Sequence, residues 1–294
     1  MTDKNASAGV AFVLGGGGIL GAHEVGMLRA LAETGVVPDL VLGTSIGAVN
    51  GALFAAGPSV EGVTRLTGLW VDSNLAEVSI GGLLRHAGTL ARTGTHLQSL
   101  REARRRLAAA LPVARVEDLK VPFQCVAASI ERAAEHWFAS GELVDVLLAS
   151  CAVPGVLPPV RIDGEHFIDG GIVNSIPVGR AVALGARTIY VLQVGRVETP
   201  LQPPRWPWEV GLVAFEVARR HRFAHDLASL PAGIDLHVLP TGGSAAPAYN
   251  DISAQVRYRR IARTVSDQIE SAYEASLRYL QDAQTTARPR TDAA

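Results

Sequence analysis

Two cysteines, Cys125 and Cys151, are all that the 294 residues contain, and both fall inside apolar segments. A pair so placed builds no disulfide framework and suits a reducing compartment. Charge of one sign is lacking as well. The 27 Lys and Arg against 28 Asp and Glu leave a formal net charge of -1, so no overall field draws in nucleic acid or an anionic bilayer. A long apolar run is also missing. Val10 to Leu14 breaks at Gly15, far short of a spanning helix, and nothing behind Lys4 resembles a leader. These absences point to a cytoplasmic protein without a nucleic-acid partner, with peripheral membrane contact left open. No internal repeat is present.

Glycine, in contrast, is plentiful: 30 residues in a chain that is 48% hydrophobic and 19% charged. Val10–Leu14 reads as a buried strand, Gly15–Gly18 as a tight loop, and Ile19–Thr34 as a helix with apolar positions at Leu20, Val25, Leu28 and Leu31. Leu40–Leu42 is a second short strand ending at Gly43, followed by a helix over Ile46–Ala56. Two strand–turn–helix units in succession predict parallel strands with crossover helices. Val60–Leu111 reads as mostly helical, including the basic run Arg101, Arg104, Arg105 and Arg106, a candidate contact for anionic headgroups. Val121–Ile130 and Ala134–Ala139 are strands, Leu143–Ala149 a helix, and Asp163-Gly164 a hairpin turn between Val160–Ile162 and His166–Ile168. Thr188–Val194 is a fully apolar strand, Pro200–Pro207 a loop, Trp208–Leu227 a helix, Leu236–Leu239 a last strand and Ile252–Leu280 a terminal helix. The expected division is a catalytic domain over 8–200, an extension packed on it over 201–282, and a disordered tail over 283–294.

Three motifs carry chemistry. Gly43-Thr44-Ser45-Ile46-Gly47 is a GxSxG between a strand and a helix. Chance places this pattern in about one such chain in six, so the context decides. The small residues permit a sharp bend from which Ser45 projects, at a helix N-terminus that favours developing negative charge. Gly15-Gly16-Gly17-Gly18-Ile19-Leu20-Gly21 contains GxGxxG, and Asp39 follows at about the 20-residue spacing of a dinucleotide site. That reading fails on placement, because the ribose-binding acid should end the second strand and Asp39 precedes it. Such a loop also exposes main-chain N–H groups toward an oxyanion, and two consecutive βα turns share one sheet edge. Asp169-Gly170-Gly171 closes an apolar strand and offers a carboxylate; alone it is ordinary turn chemistry.

Taken in order, these three motifs resemble the patatin-like phospholipase family. Ala149-Ser150-Cys151-Ala152-Val153-Pro154-Gly155, Pro158-Pro159-Val160 and Asn174 to Pro177 match as well. The resemblance runs from about Val10 to Val194. It implies a three-layer α/β/α sandwich with a mainly parallel central sheet and a Ser–Asp dyad that uses no histidine. Carried over by motif, Ser45 is the nucleophile, Asp169 the base, and the amides around Gly16, Gly17 and Gly18 the oxyanion hole. Gly21, Gly43, Gly47, Gly170 and Gly171 are the motif glycines. The family's usual Arg or Lys before the last loop glycine is Leu20 here, so phospholipid headgroup recognition is not implied. The expected activity is hydrolysis of a lipid or small carboxylic ester through an acyl-enzyme, with no metal or organic cofactor. Acyl transfer would share that intermediate, and a non-catalytic regulator would not require all three motifs.

A dyad demands a tuned base. Aspartate with an ordinary pKa of about 3.9 is weak for this work, so the pocket should raise it, with Phe167 and Ile168 supplying desolvation. The competitor is a triad using His225 or His237. Ordinary α/β-hydrolases place several strands before the nucleophile turn, and here one precedes Leu40. Cys151 is a minor rival nucleophile whose apolar setting suits a packing thiol. Acyl-chain preference and oligomeric state are not encoded in these motifs.

Overall fold

Segments apolar on both faces become central strands of a parallel sheet, because helices cover them above and below. The computed structural model describes residues 9–72, 99–194, 200–204, 207–242 and 265–287. Its strands are β1 (Val10–Leu14), β2 (Leu40–Thr44), β3 (Phe123–Ser129), β4 (Ala134–Phe138), β5 (Val160–Ile162), β6 (Glu165–Asp169), β7 (Thr188–Leu192) and β8 (Asp235–Val238). Its helices are α1 (Ala22–Glu33), α2 (Ile46–Ala56), α3 (Val60–Asp72), α4 (Leu100–Ala110), α5 (Leu143–Ser150), α6 (Gly171–Asn174), α7 (Val178–Ala183), α8 (Pro207–Ala228) and α9 (Val265–Ala287).

The parallel part of the sheet has the order β3-β2-β1-β7-β8. From β1 the chain builds outward through β2 to β3, then returns to the other side of β1 for β7 and β8. β1 is therefore where the winding reverses, and the carboxyl ends of strands at such a point form a natural crevice. β4 and β6 run antiparallel to β3, and β5 pairs with β6. The β5–β6 turn takes positive φ at both Asp163 (50°) and Gly164 (90°), as a two-residue hairpin requires.

Alternation along the strands splits the core in two. Phe12, Leu14 and Val41 pack with residues of α1, α2, α3, α5 and α9. Ala11, Val13, Leu40, Leu42, Ile189 and Val191 pack with Val178, Ala181 and Phe223 of α7 and α8. Helices therefore cover both faces of a mixed, mostly parallel sheet, giving the expected α/β layering. Each fully enclosed side chain of this size contributes roughly 1.5–3 kcal/mol.

Four expectations need correction or limit. β2 continues through Gly43 to Thr44 rather than stopping at Leu42, because Gly43 pairs with both Leu14 and Cys125 in the parallel ladders. α9 runs to Ala287, so helix occupies the start of the segment expected to be a disordered tail. Residues 73–98 of the long helical stretch, and 252–264 of the terminal helix, lie outside the described residues. Finally, the basic run is largely occupied: Arg104 pairs with Asp145, and Arg105 and Arg106 both reach Glu102. Two carboxylates thus offset only part of its charge, and these arginine side chains stay exposed. Among the described residues no helix is long and apolar enough to cross a membrane.

α9 is seated closely on α1. A Cβ at Gly26 would lie 2.1 Å from the Ile269 carbonyl oxygen, and the Arg29 guanidinium stands 3.8 Å above the Tyr273 ring. Gly68 in α3, by contrast, has only Asp72 Oδ2 nearby, at 3.8 Å from an added Cβ. Gly26→Ala should therefore cost roughly 1–3 kcal/mol of unfolding free energy, whereas Gly68→Ala should gain about 0.5–1 kcal/mol. Urea denaturation of both variants checks this, and a neutral Gly26→Ala would contradict the close α1–α9 contact.

Candidate active site

The bend after β2 is strained. Ser45 lies between β2 and α2 at φ 54°, ψ -125°, a backbone region costly for a residue with a side chain. Contacts on each side enforce it. A Cβ at Gly43 would sit 2.4 Å from Ala48 Cα, and one at Gly47 would sit 2.5 Å from the Leu14 carbonyl oxygen. Only hydrogen fits at either place, which explains the two outer glycines of the motif.

Hydrogen bonds from distant elements hold this bend. The Ser45 N–H donates to Ser150 Oγ at 2.9 Å, and the Ser150 hydroxyl donates to the Val126 carbonyl at 2.7 Å. Thr44 Oγ1 donates to the Asn174 carbonyl at 2.9 Å. Ser150, at the end of α5, also accepts the Gly170 N–H at its carbonyl at 3.3 Å. One residue thereby ties the serine bend to the Asp169 turn.

Asp169 ends β6, opposite Ala127 of β3. Its N–H donates to the Ala152 carbonyl, and a Cβ at Gly170 would lie 2.2 Å from the Val126 carbonyl oxygen. The turn is thus pressed against β3, which aims the carboxylate at the serine 124 positions away. Ser45 Oγ donates to Asp169 Oδ2 at 2.6 Å, and the Gly171 N–H donates to Oδ1 at 2.7 Å. Asp169 is 1% exposed. Burial raises its pKa from 3.8 to about 6, against the opposing pull of the bonds from Ser45 and Gly171. Phe167 and Asp169, two positions apart on β6, are both buried on one side of the strand, while Ile168 between them is half-buried.

The glycine loop meets the serine at the carboxyl edge of β1. A Cβ at Gly16 would stand 3.5 Å from Ser45 Cβ. The amides of the loop are not equivalent, however. Gly15 N–H donates to the Leu192 carbonyl and Gly16 N–H to the Ser175 carbonyl, at 2.9 and 3.0 Å. Gly16 is therefore committed to structure and does not serve as an oxyanion donor in this conformation, contrary to expectation. The N–H groups of Gly17 and Gly18 have no acceptor among the described residues. Gly18 has φ 58°, where the missing side chain matters. Below the loop, Asn50 Nδ2 donates to the Gly21 carbonyl at 3.0 Å and to Glu24 Oε2 at 2.8 Å, while Trp70 Nε1 donates to Asn50 Oδ1. Burial drives the Glu24 carboxyl well above its usual range, against the opposing pull of the bond from Asn50.

The rival groups are placed elsewhere or held in an unreactive form. Asp39 accepts the Val10 N–H at the amino edge of the sheet, the end away from the glycine loop. His225 is exposed on α8. His237 stacks on Tyr190 at 4.7 Å and bonds to Tyr279 and Asp235. Cys151 does lie beside the dyad. Burial first, and the Asp169 charge second, push its thiol well above the ordinary value, so it is not a thiolate. Among the described residues no cluster of His, Cys, Asp and Glu could hold a metal ion. Ser150, Asn174 and Ser175 belong to stretches already matched in sequence, but their bonds across more than 100 residues leave no local trace.

Because the folded pKa of Asp169 exceeds its unfolded value, its contribution to stability is complete below pH 3.8 and is lost as pH rises through about 6. Keeping it ionised at pH 8 costs on the order of 3 kcal/mol. Asp169→Asn should then melt several degrees above the parent protein at pH 8 and lose that advantage below pH 4. An equal or lower Tm at pH 8 would contradict the desolvated carboxylate.

Comparison with known proteins identifies the family. The sequence model of the family described as "Patatin-like phospholipase" matches residues 12–182. Patatin-like phospholipase domain-containing protein 7 of Rattus norvegicus is 34% identical over 195 residues, covering 65% of this chain and 14% of the rat protein. Lysophospholipase nte1 of Aspergillus terreus is 30% identical over 189 residues, 64% of this chain and 12% of the fungal protein. The chain thus spans a small part of the length of these relatives. Among solved structures, VipD from Legionella pneumophila aligns with TM-score 0.45 and 14% identity, over 94% of this chain and 67% of that one. The chain belongs to the patatin-like phospholipase family.

Proposed function

We propose that this protein is a serine hydrolase of lipid carboxylic esters, with Ser45 as nucleophile and Asp169 as its base. The observation that carries the reading is the 2.6 Å hydrogen bond from Ser45 Oγ to a buried Asp169 carboxylate. A hydroxyl needs a base to become a nucleophile, and a carboxylate with pKa near 6 is a far better one than an exposed aspartate.

In the proposed reaction Ser45 Oγ attacks the ester carbonyl while its proton passes to Asp169 Oδ2. The oxygen that gains charge lies toward the open N–H groups of Gly17 and Gly18. One such donor is worth roughly 2.7–4 kcal/mol in a well-studied protease. The intermediate collapses, the alcohol leaves with the proton from Asp169, and an acyl group remains on Ser45. Water then repeats the sequence: it loses a proton to Asp169, attacks the acyl carbonyl, and Ser45 departs with that proton. The net change is ester plus water to acid plus alcohol. The strained bend at Ser45 holds the oxygen forward throughout, so little rearrangement accompanies each step.

The substrate class rests on the relatives. Their names include phospholipase and lysophospholipase, which supports a glycerolipid or lysolipid acyl ester. Leu20, where the family carries a cation, favours recognition through the acyl chain rather than the headgroup.

Ser45→Ala should abolish p-nitrophenyl ester turnover, and Asp169→Asn should reduce kcat by about 1,000-fold or more. His225→Ala and His237→Ala should retain most activity. Because the base must be ionised, kcat/KM should rise with pH through about 6 and then level off. A steady-state assay over that range checks all four variants. Turnover surviving in Ser45→Ala, or lost in either histidine variant while Asp169→Asn stays active, would remove the dyad.

A further inference from the structure

The family match ends at residue 182, yet a helix beyond it touches both halves of the site. α8 packs along α6, and the Phe215 ring stands 2.7 Å from where a Cβ at Gly171 would be, beside Asp169 Oδ1 at 2.9 Å. One turn further on, Arg219 is 5% exposed and its Nε donates to Ser175 Oγ at 3.1 Å. Its Nη1 reaches both carboxylate oxygens of Glu216, which is 2% exposed. Its Nη2 is enclosed without any acceptor among the described residues. A buried guanidinium with an unmet donor is costly, and such costs concentrate where a side chain serves function.

Ser175 is the point where that guanidinium meets the catalytic motifs. Its carbonyl accepts the Gly16 N–H at 3.0 Å, and the preceding carbonyl, of Asn174, accepts Thr44 Oγ1 at 2.9 Å. Ser175 Oγ also lies 3.2 Å from an added Cβ at Gly16, so the turn and the loop are in contact. The two residues of this turn therefore hold the glycine loop on one side and the residue before the nucleophile on the other. A guanidinium bonds to a hydroxyl and a carboxylate at once because its donors form a rigid fork.

We propose that Arg219 is a positioning residue: backed by Glu216, it fixes Ser175 so that the 174–175 turn sets the glycine loop against Ser45. The inference rests on the ester-hydrolase reading for its kinetic consequence. Gly16 is not itself a donor to the oxyanion, but it leads directly into Gly17 and Gly18, whose amides are open. A small shift of Gly16 moves those amides out of line with the carbonyl oxygen, and such shifts act on the transition state more than on substrate binding.

The test uses Ser175→Ala, Arg219→Lys, their combination, and the pair Arg219→Met with Glu216→Met, which leaves no orphaned carboxylate although it also removes the Glu216 contact of Arg220. Lysine keeps the pairing with Glu216 but cannot span to Ser175 as well. Each single change should lower kcat for p-nitrophenyl butyrate about 10- to 100-fold with KM moved by less than about twofold. The combination should be no worse than either single change, because both cut the same link. Hydrogen–deuterium exchange should quicken over residues 12–24 in every variant, including the pair Arg219→Met with Glu216→Met. Wild-type kcat and unchanged exchange in folded variants would overturn the proposal, as would additive losses. If turnover persisted in Ser45→Ala, the hydrolase reading would fall separately, and the exchange measurement alone would still decide whether Arg219 positions the loop.

Discussion

A carboxylate taken out of water next to a serine hydroxyl governs the design of this protein. Burial favours the protonated acid, while the bonds from Ser45 and Gly171 favour the anion, and the balance leaves Asp169 near pH 6. A fully solvated aspartate would be too weak a base, and one buried without partners would stay protonated at neutral pH. The sheet supplies the enclosure: β3 lies under the Asp169 turn, α5 clamps the serine bend from the side, and the glycine loop closes the edge.

Strain and satisfaction are paired throughout the site. Ser45 accepts an unfavourable backbone geometry because Gly43 and Gly47 remove clashes and because Ser150 and Thr44 supply hydrogen bonds. The same logic appears at the loop, where Gly15 and Gly16 spend their N–H groups on neighbouring carbonyls and leave Gly17 and Gly18 open. Within one short glycine run the first two amides are committed to structure and the next two are left open. α8 and α9 extend this economy beyond the family match, α9 by packing on α1 and α8 by bracing the 174–175 turn.

Much of this was legible in the sequence because it is local. Apolar runs such as Val10–Leu14 and Thr188–Leu192 identify buried parallel strands, and Asp163-Gly164 identifies its hairpin. The serine bend and the Asp169 turn were readable for the same reason, since small residues at fixed offsets reflect sterics within a few positions. What was not legible depends on groups far apart in the chain. Nothing in the glycine run says that Gly16 meets Ser175, and nothing near residue 150 says that its hydroxyl meets Ser45. The short helices α6 and α7 escaped because four and six residues carry too little periodicity to register.

Covalent trapping addresses the pairing of Ser45 with Asp169 most directly. Treatment with an alkyl fluorophosphonate across a pH series, followed by peptide mass spectrometry, reports both the residue attacked and the ionisation that activates it. The account predicts one phosphonyl group, on Ser45, added at a rate that climbs as pH passes about 6. A label on Cys151 or any other side chain, or a Ser45 rate indifferent to pH through that range, would contradict it.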